Sequence, residues 1–262
     1  MKKIAVYFLI VSLIPFTQSC KKDSSNNNNN TGTAKVAVHM IDAPGDFDAV
    51  YIDVQSIEMG TEAGGWIALP LYRPGIYNLL DFRNGIDTLM CNAEIPAGRV
   101  TQMRMILGTN NSVTVKGVNY PLSTPSAQQS GLKFNLQTDL VVNGSYAFWI
   151  DFDAGKSIVE QGNGDYSLKP VIRTYTQQTD GRIKGTIFPF ASVAIVYAIQ
   201  GGQTYSAIPA PDGRFVFCGL PEGAYTVRFE AKDGSSFSDL ELNNIQVKFG
   251  VITDLGLHNL LP

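Results

Sequence analysis

Pro211-Asp212-Gly213-Arg214-Phe215-Val216-Phe217-Cys218-Gly219-Leu220-Pro221-Glu222-Gly223-Ala224-Tyr225-Thr226-Val227 reads as turn, strand, turn, strand. In each turn the proline presets the backbone and the glycine tolerates the conformation other residues avoid, so the chain reverses and an apolar strand follows. The same grammar repeats outward. Strands are predicted over 182–188, 192–199, 203–208, 214–217, 224–231, 244–248 and 253–258, with further turns at Gly201-Gly202 and Asp233-Gly234. Seven short strands at that spacing describe a β-sandwich. A polar segment, 175–180, precedes it, which sets a boundary near residue 178.

Upstream, Val36, Val38 and Met40 alternate with Ala37, His39 and Ile41, the period-two pattern of a strand with one dry face. Further strands are predicted over 50–57, 66–69, 76–82, 88–95, 100–107, 112–116, 133–136, 145–152 and 166–174. One short helix is predicted near 154–160, stopped by Gly162-Asn163-Gly164. Pro170 implies an edge or a bulge inside the last strand. The chain is therefore all-β, with two sandwich-like domains over 34–178 and 179–262. Ile95-Pro96-Ala97-Gly98 and Leu220-Pro221-Glu222-Gly223 are equivalent hairpin entrances, one in each.

The amino terminus carries Lys2-Lys3, an apolar run from Ile4 to Phe16, then Thr17-Gln18-Ser19-Cys20. That run is too short for a membrane span, which needs about 20 apolar residues, and fits a secretory signal. The spacing resembles a bacterial lipoprotein signal: residues 1–19 would be removed and Cys20 would carry the lipid that holds the protein to a membrane. Gln18 departs from the small or aliphatic residue usual there. Residues 20–33, with the run Asn26 to Asn30, cannot bury a core and read as a flexible tether. Lys21-Lys22-Asp23 resembles the charged stretch that directs some lipoproteins of Bacteroidota to the outer face of the outer membrane, so the expected address is the cell envelope.

A net charge of -3, and only 20 Lys and Arg, give no footprint for nucleic acid. With Cys20 committed to lipid, Cys91 and Cys218 remain, in different predicted domains, and read as buried thiols rather than a disulfide.

Two family resemblances follow from longer patterns. Gly185-Thr186-Ile187, the Pro211 to Val227 stretch, and Val247-Lys248-Phe249-Gly250 with Thr253-Asp254-Leu255-Gly256 resemble the carboxypeptidase regulatory-like, transthyretin-like (prealbumin-like) sandwiches. That likeness implies a spacer, stabiliser or adhesive module and no activity. Ile41-Asp42-Ala43-Pro44, Trp66, Leu79-Leu80-Asp81, Asn84-Gly85, Met103-Arg104-Met105, Ser130-Gly131-Leu132-Lys133, Asp151-Phe152-Asp153-Ala154 and Leu168-Lys169-Pro170-Val171-Ile172 resemble domain-of-unknown-function family 4382 across residues 33–175. The family supplies fold and placement, not chemistry.

Candidate site residues are few. Asp151 and Asp153 flank Phe152, so on a strand both carboxylates share a face. They support two readings: a Ca²⁺ or other metal site, helped by Asp42, Asp46 and Asp48, or a structural pair that caps the helix near Ala154 and pairs with Lys156 or Arg104. The structural reading is preferred, because no coordination-loop spacing is present, and no cofactor is expected. Ser130 and Lys133 match a Ser-x-x-Lys nucleophile pattern, but on a strand their side chains point apart. His39 and His258, the only histidines, cannot supply three zinc ligands. Trp66, Tyr72 and Tyr77, with Trp149 and Tyr205, are candidates for a sugar-stacking platform, although Trp149 lies in an apolar run that predicts core. The reading is a non-enzymatic, membrane-anchored envelope or surface lipoprotein for binding, adhesion or assembly. Its partner is a glycan or another envelope protein. The alternative is a carbohydrate-binding accessory lipoprotein of a glycan-uptake system, which requires exposed, coplanar aromatics.

Overall fold

The computed structural model describes residues 32–262 apart from 44, 125, 126, 129 and 191. Cys20 and the tether before residue 32 lie outside the described residues. The rest is almost wholly β-structure.

The first unit packs two sheets. One has the order β13 (Ile172–Thr176), β10 (Ser145–Asp153), β1 (Thr33–Ala43), β5 (Thr88–Pro96). β1 lies between two neighbours, parallel to β10 and antiparallel to β5. The other sheet is centred on β2 (Ala49–Thr61). On one side it continues to β6 (Gly98–Leu107) and β9 (Leu132–Leu140). On the other it continues to β7 (Ser112–Val115), β8 (Val118–Ser123), β12 (Tyr166–Leu168) and β11 (Ile158–Glu160), while β3 (Trp66–Leu69) and β4 (Gly75–Asn78) also pair with β2. The alternation in the sequence builds the core directly. Val36, Val38 and Met40 of β1 meet Ile52, Val54, Ile57 and Met59 of β2, Met103 and Met105 of β6, and Phe148, Ile150 and Phe152 of β10. Each such fully buried side chain contributes about 1.5–3 kcal/mol of transfer free energy.

The second unit has the seven expected strands. β14 (Gly181–Phe188) lies between β17 (Arg214–Leu220) and β20 (Ile252–Asn259). The facing sheet runs β16 (Gln203–Ala207), β15 (Val193–Gln200), β18 (Gly223–Ala231), β19 (Leu240–Val247). Its separate core gathers Ile183, Ile187, Val196, Phe215, Phe217, Val227 and Phe229, with Phe215 edge-on to Phe229 at 5.5 Å. Among the described residues the two units share no strand.

Several local predictions are corrected. Residues 79–82 form a 3-10 turn rather than the end of a strand. Strand β8 follows a tight turn at Lys116 and Gly117, both in the left-handed region, where no asparagine marks a hairpin. The helix is one turn, α1 (Ala154–Ser157), and Ile158 to Glu160 pair as β11. The strand predicted over 166–174 is split around Pro170 into β12 and β13, which belong to different sheets, because proline cannot donate to a ladder. The polar segment between the units is ordered against them. Tyr175 and Asp180 are buried, and Gln177–Thr179 forms a 3-10 turn closed by a Thr176–Thr179 capping box.

Candidate functional site

The strongest gathering of polar side chains lies where the two sandwiches meet. The parallel register of β1 and β10 sets Ile41 beside Asp151 and Ala43 beside Asp153, which carries Asp42, Asp151 and Asp153 to one end of the first sheet. Directly across from Asp151 on β13 stands Arg173, and the two form an ion pair in which Asp151 is buried and Arg173 partly exposed. Arg173 then crosses to the second unit, where Nη1 donates to the Gly219 carbonyl at 3.1 Å and the guanidinium lies 4.4 Å from the Tyr205 ring centre. Asp153 caps α1, accepting from the Lys156 backbone N–H at 3.0 Å and pairing with Lys156 Nζ at 2.9 Å. Lys156 Nζ also donates to the Thr204 carbonyl at 2.6 Å, a second bond between the units. Asn84, at φ 54, donates from Nδ2 to the Ile208 carbonyl at 3.0 Å, a third.

Around these groups Ile41, Tyr175 and Cys218 are buried together, with Trp149 and Val216 against them. Gly219 has φ 63, and a Cβ there would overlap the Tyr175 ring, so the close approach requires glycine. Asp180 fixes the same segment, accepting from Gly219 N at 2.8 Å and from Arg182 Nε at 2.6 Å. Burial pushes the Cys218 thiol up to about 12 and raises the Tyr175 hydroxyl further. Burial also raises the Asp151 carboxyl, and Arg173 opposes that rise. The space left among Asp42, Asn84, Asp151, Asp153, Arg173 and Tyr205 is about 30 Å³, enough for one water molecule.

Trp149 is not in the sandwich core. It is half-buried on the outer face of its sheet, stacked between His39 at 5.0 Å and Tyr175 at 5.5 Å, as the middle of three side by side on β1, β10 and β13. Its indole N–H donates to Asp87 Oδ2 at 2.6 Å, and the same oxygen lies 3.3 Å from His39 Nδ1.

The aromatic residues singled out near Trp66 are not brought together as a platform. Tyr77 is 4% exposed, its hydroxyl donates to the Arg73 carbonyl and the Arg73 guanidinium covers its ring, so it is removed from any surface site. Trp66 is half-buried. Its ring lies over Gly60, where a Cβ would sit 3.3 Å away, and under Arg104, whose guanidinium is 4.3 Å from the ring centre. Tyr72 stays exposed, at 62%. Arg104 is also not the partner of Asp151. It pairs across strands with Glu58, with Nε donating at 2.8 Å. Lys133 lies in β9 at 5.9 Å from the Trp66 ring, while Ser130 precedes the strand in a turn. His258 is half-buried, with Nε2 2.9 Å from the Leu255 carbonyl. Cys91 and Cys218 are both free and buried. Among the described residues no three His, Cys, Asp or Glu side chains stand close enough together to hold a metal ion.

Sequence reasoning missed Arg173 and the junction role of Asn84, because their partners lie in distant segments. The one local signal was the Asn84-Gly85 pair, read only as a family landmark. Gly85 also has positive φ, and a Cβ there would stand 3.4 Å from Val216.

The chain belongs to the family described as Domain of unknown function (DUF4382), whose model matches residues 33–170. No curated protein matches it. Among solved structures it is similar to the Bacillus anthracis TIE protein, at 11% identity and TM-score 0.24, over 88% of this chain and 34% of that one. It is also similar to a Streptococcal ancillary pilin, at 13% identity and TM-score 0.20, over 88% and 63%. A third is BcpA, the major pilin subunit of Bacillus cereus, at 10% identity and TM-score 0.22, over 87% and 99%. The chain thus spans about a third of the TIE protein and less than two thirds of the ancillary pilin. Overlaps this slight transfer no function.

Proposed function

We propose that this protein is a non-enzymatic envelope lipoprotein, anchored through lipid on Cys20 and carrying two coupled β-sandwiches for binding or assembly at the outer membrane surface. In this reading the family domain offers the recognition surface. The carboxypeptidase regulatory-like sandwich braces it. The observation that carries the non-enzymatic part is the junction. There Asp151 is paired with Arg173 and Asp153 with Lys156, beside a cavity of about 30 Å³, where a catalytic site needs converging groups around room for a substrate. The anchoring part is supported by the signal-like run before Cys20. Among the described residues no helix is long and apolar enough to cross a membrane.

The test is Cys20→Ala. The variant is expected to leave the membrane fraction and to lose labelling by a palmitate analogue, since acyl chains supply the membrane affinity. Unchanged labelling or full membrane retention defeats the lipid anchor.

A further inference from the structure

Asp42 is 4% exposed, and its two oxygens differ in circumstance. Oδ1 accepts from the Ala154 N–H at 3.1 Å. Oδ2 is fully enclosed and has no hydrogen-bond partner, in a residue that borders the junction cavity. Asn84 Oδ1, on the same cavity, is likewise enclosed and unpartnered. Carboxylate and amide oxygens only accept. Asp151 and Asp153 line the same space, and Asp42 Oδ2 and Asn84 Oδ1 are short of donors.

A water molecule, a metal ion, a guanidinium or a proton would make good that shortage, and no water reaches either oxygen, because both are shut off from the solvent-accessible space. No three acidic groups among the described residues stand close enough for a metal. Arg173 is already directed to Asp151, the Gly219 carbonyl and Tyr205, and Arg83 acts on Asp42 only through its field. A proton remains. On Oδ2 it removes the charge that burial leaves without a partner and turns the acceptor into a donor.

We propose that Asp42 is held as a neutral carboxylic acid and makes the junction between the two sandwiches pH-sensitive, closed while the proton is present and loosened when it leaves. The groups that face it are Asp151 and Asp153 of β10, Lys156 of α1, Arg83 in the turn before β5, Arg173 of β13, Tyr205 of β16 and Cys218 of β17. Burial raises the Asp42 carboxyl well above its usual range. Asp151 and Asp153 push the same way, while the Ala154 N–H and Arg83 oppose them. A group raised on folding stabilises fully below its unfolded pKa, and that contribution is lost as pH rises through the folded one. The Asp42 contribution to the junction is therefore fully present in acid and is lost as pH rises through its folded pKa.

Cys218 reads the opening, because its thiol lines the same cavity and is 8% exposed. In the full chain carrying Cys20→Ser and Cys91→Ala, labelling of Cys218 by a thiol reagent is followed across pH with and without Asp42→Asn. The ratio of the two rates removes the thiol's own titration. It is expected to stay near one in acid and then to rise towards tenfold for each pH unit above the point where Asp42 ionises. A ratio constant across pH overturns the proposal. Should Asp42→Asn fail to fold, carboxyl-carbon NMR of the unsubstituted chain decides. A titration of Asp42 well above the ordinary carboxylate range supports the latch, and one within that range refutes it.

Discussion

Replacing Arg173 by alanine should cost more stability than any other single change at the junction. The Asp151 side chain is 5% exposed and is paired with the Arg173 guanidinium. Removing one partner of a buried ion pair costs about 3–5 kcal/mol, because the other charge is left without compensation. Arg173 itself is 30% exposed, so water enters the vacated space and brings the figure to the lower end. The lost bond to the Gly219 carbonyl and the lost stacking on Tyr205 add about 1 kcal/mol each at most. These terms overlap, so the expected loss is about 3–4 kcal/mol. The assay is urea denaturation followed by far-ultraviolet circular dichroism and by tryptophan emission, since Trp149 stacks on Tyr175 at the junction. Asp151→Asn and the double variant complete a cycle. The double variant should be less damaged than Arg173→Ala alone, because no unpaired charge remains. A loss under about 1 kcal/mol, or effects of the two changes that simply add, would refute the reasoning.

Gly219→Ala places a methyl group in the Tyr175 ring at a left-handed backbone position. Strain and overpacking together predict a loss of about 2–3 kcal/mol and a lower melting temperature, with Gly234→Ala as the control, left-handed but with nothing near it. Residues 181–262 expressed alone should melt cooperatively, because their core is separate from that of the first unit. Their melting temperature should fall below that of the full chain, since Val216 and Cys218 lose their cover, and a spectrum without β-structure would mean that the units need one another to fold.

What the sequence disclosed was whatever is written locally. Proline-glycine turns such as Pro211-Asp212-Gly213 fix a hairpin within a few residues, and Val36, Val38 and Met40 announce their common face by spacing alone. The missed features depend on neighbours that spacing cannot name. Trp149 sits in an apolar run and reads as core, yet the period of two puts it on the face opposite Phe148 and Ile150, where His39 and Tyr175 on adjacent strands cover its ring. Tyr77 is inside because Ile76 and Asn78 take the outer positions of β4. Asp153 was legible as a cap because Lys156 lies one turn away. The partner of Asp151 was not legible. Arg104 and Arg173 are equivalent in sequence, and strand order decides between them.

β1 is the earliest strand in the described chain, yet it occupies an inner position in its sheet. Its pairing with β5 awaits Thr88–Pro96, and its pairing with β10 awaits Ser145 onward. Contacts so distant in sequence form slowly, because long loops must close first. Until then an alternating apolar strand stands with both edges open, a template for pairing with other chains. The period of greatest hazard for this protein is therefore the interval before residues 145–153 arrive. Substitutions that delay β10 should appear as aggregation during synthesis or export, even where they leave the finished structure intact.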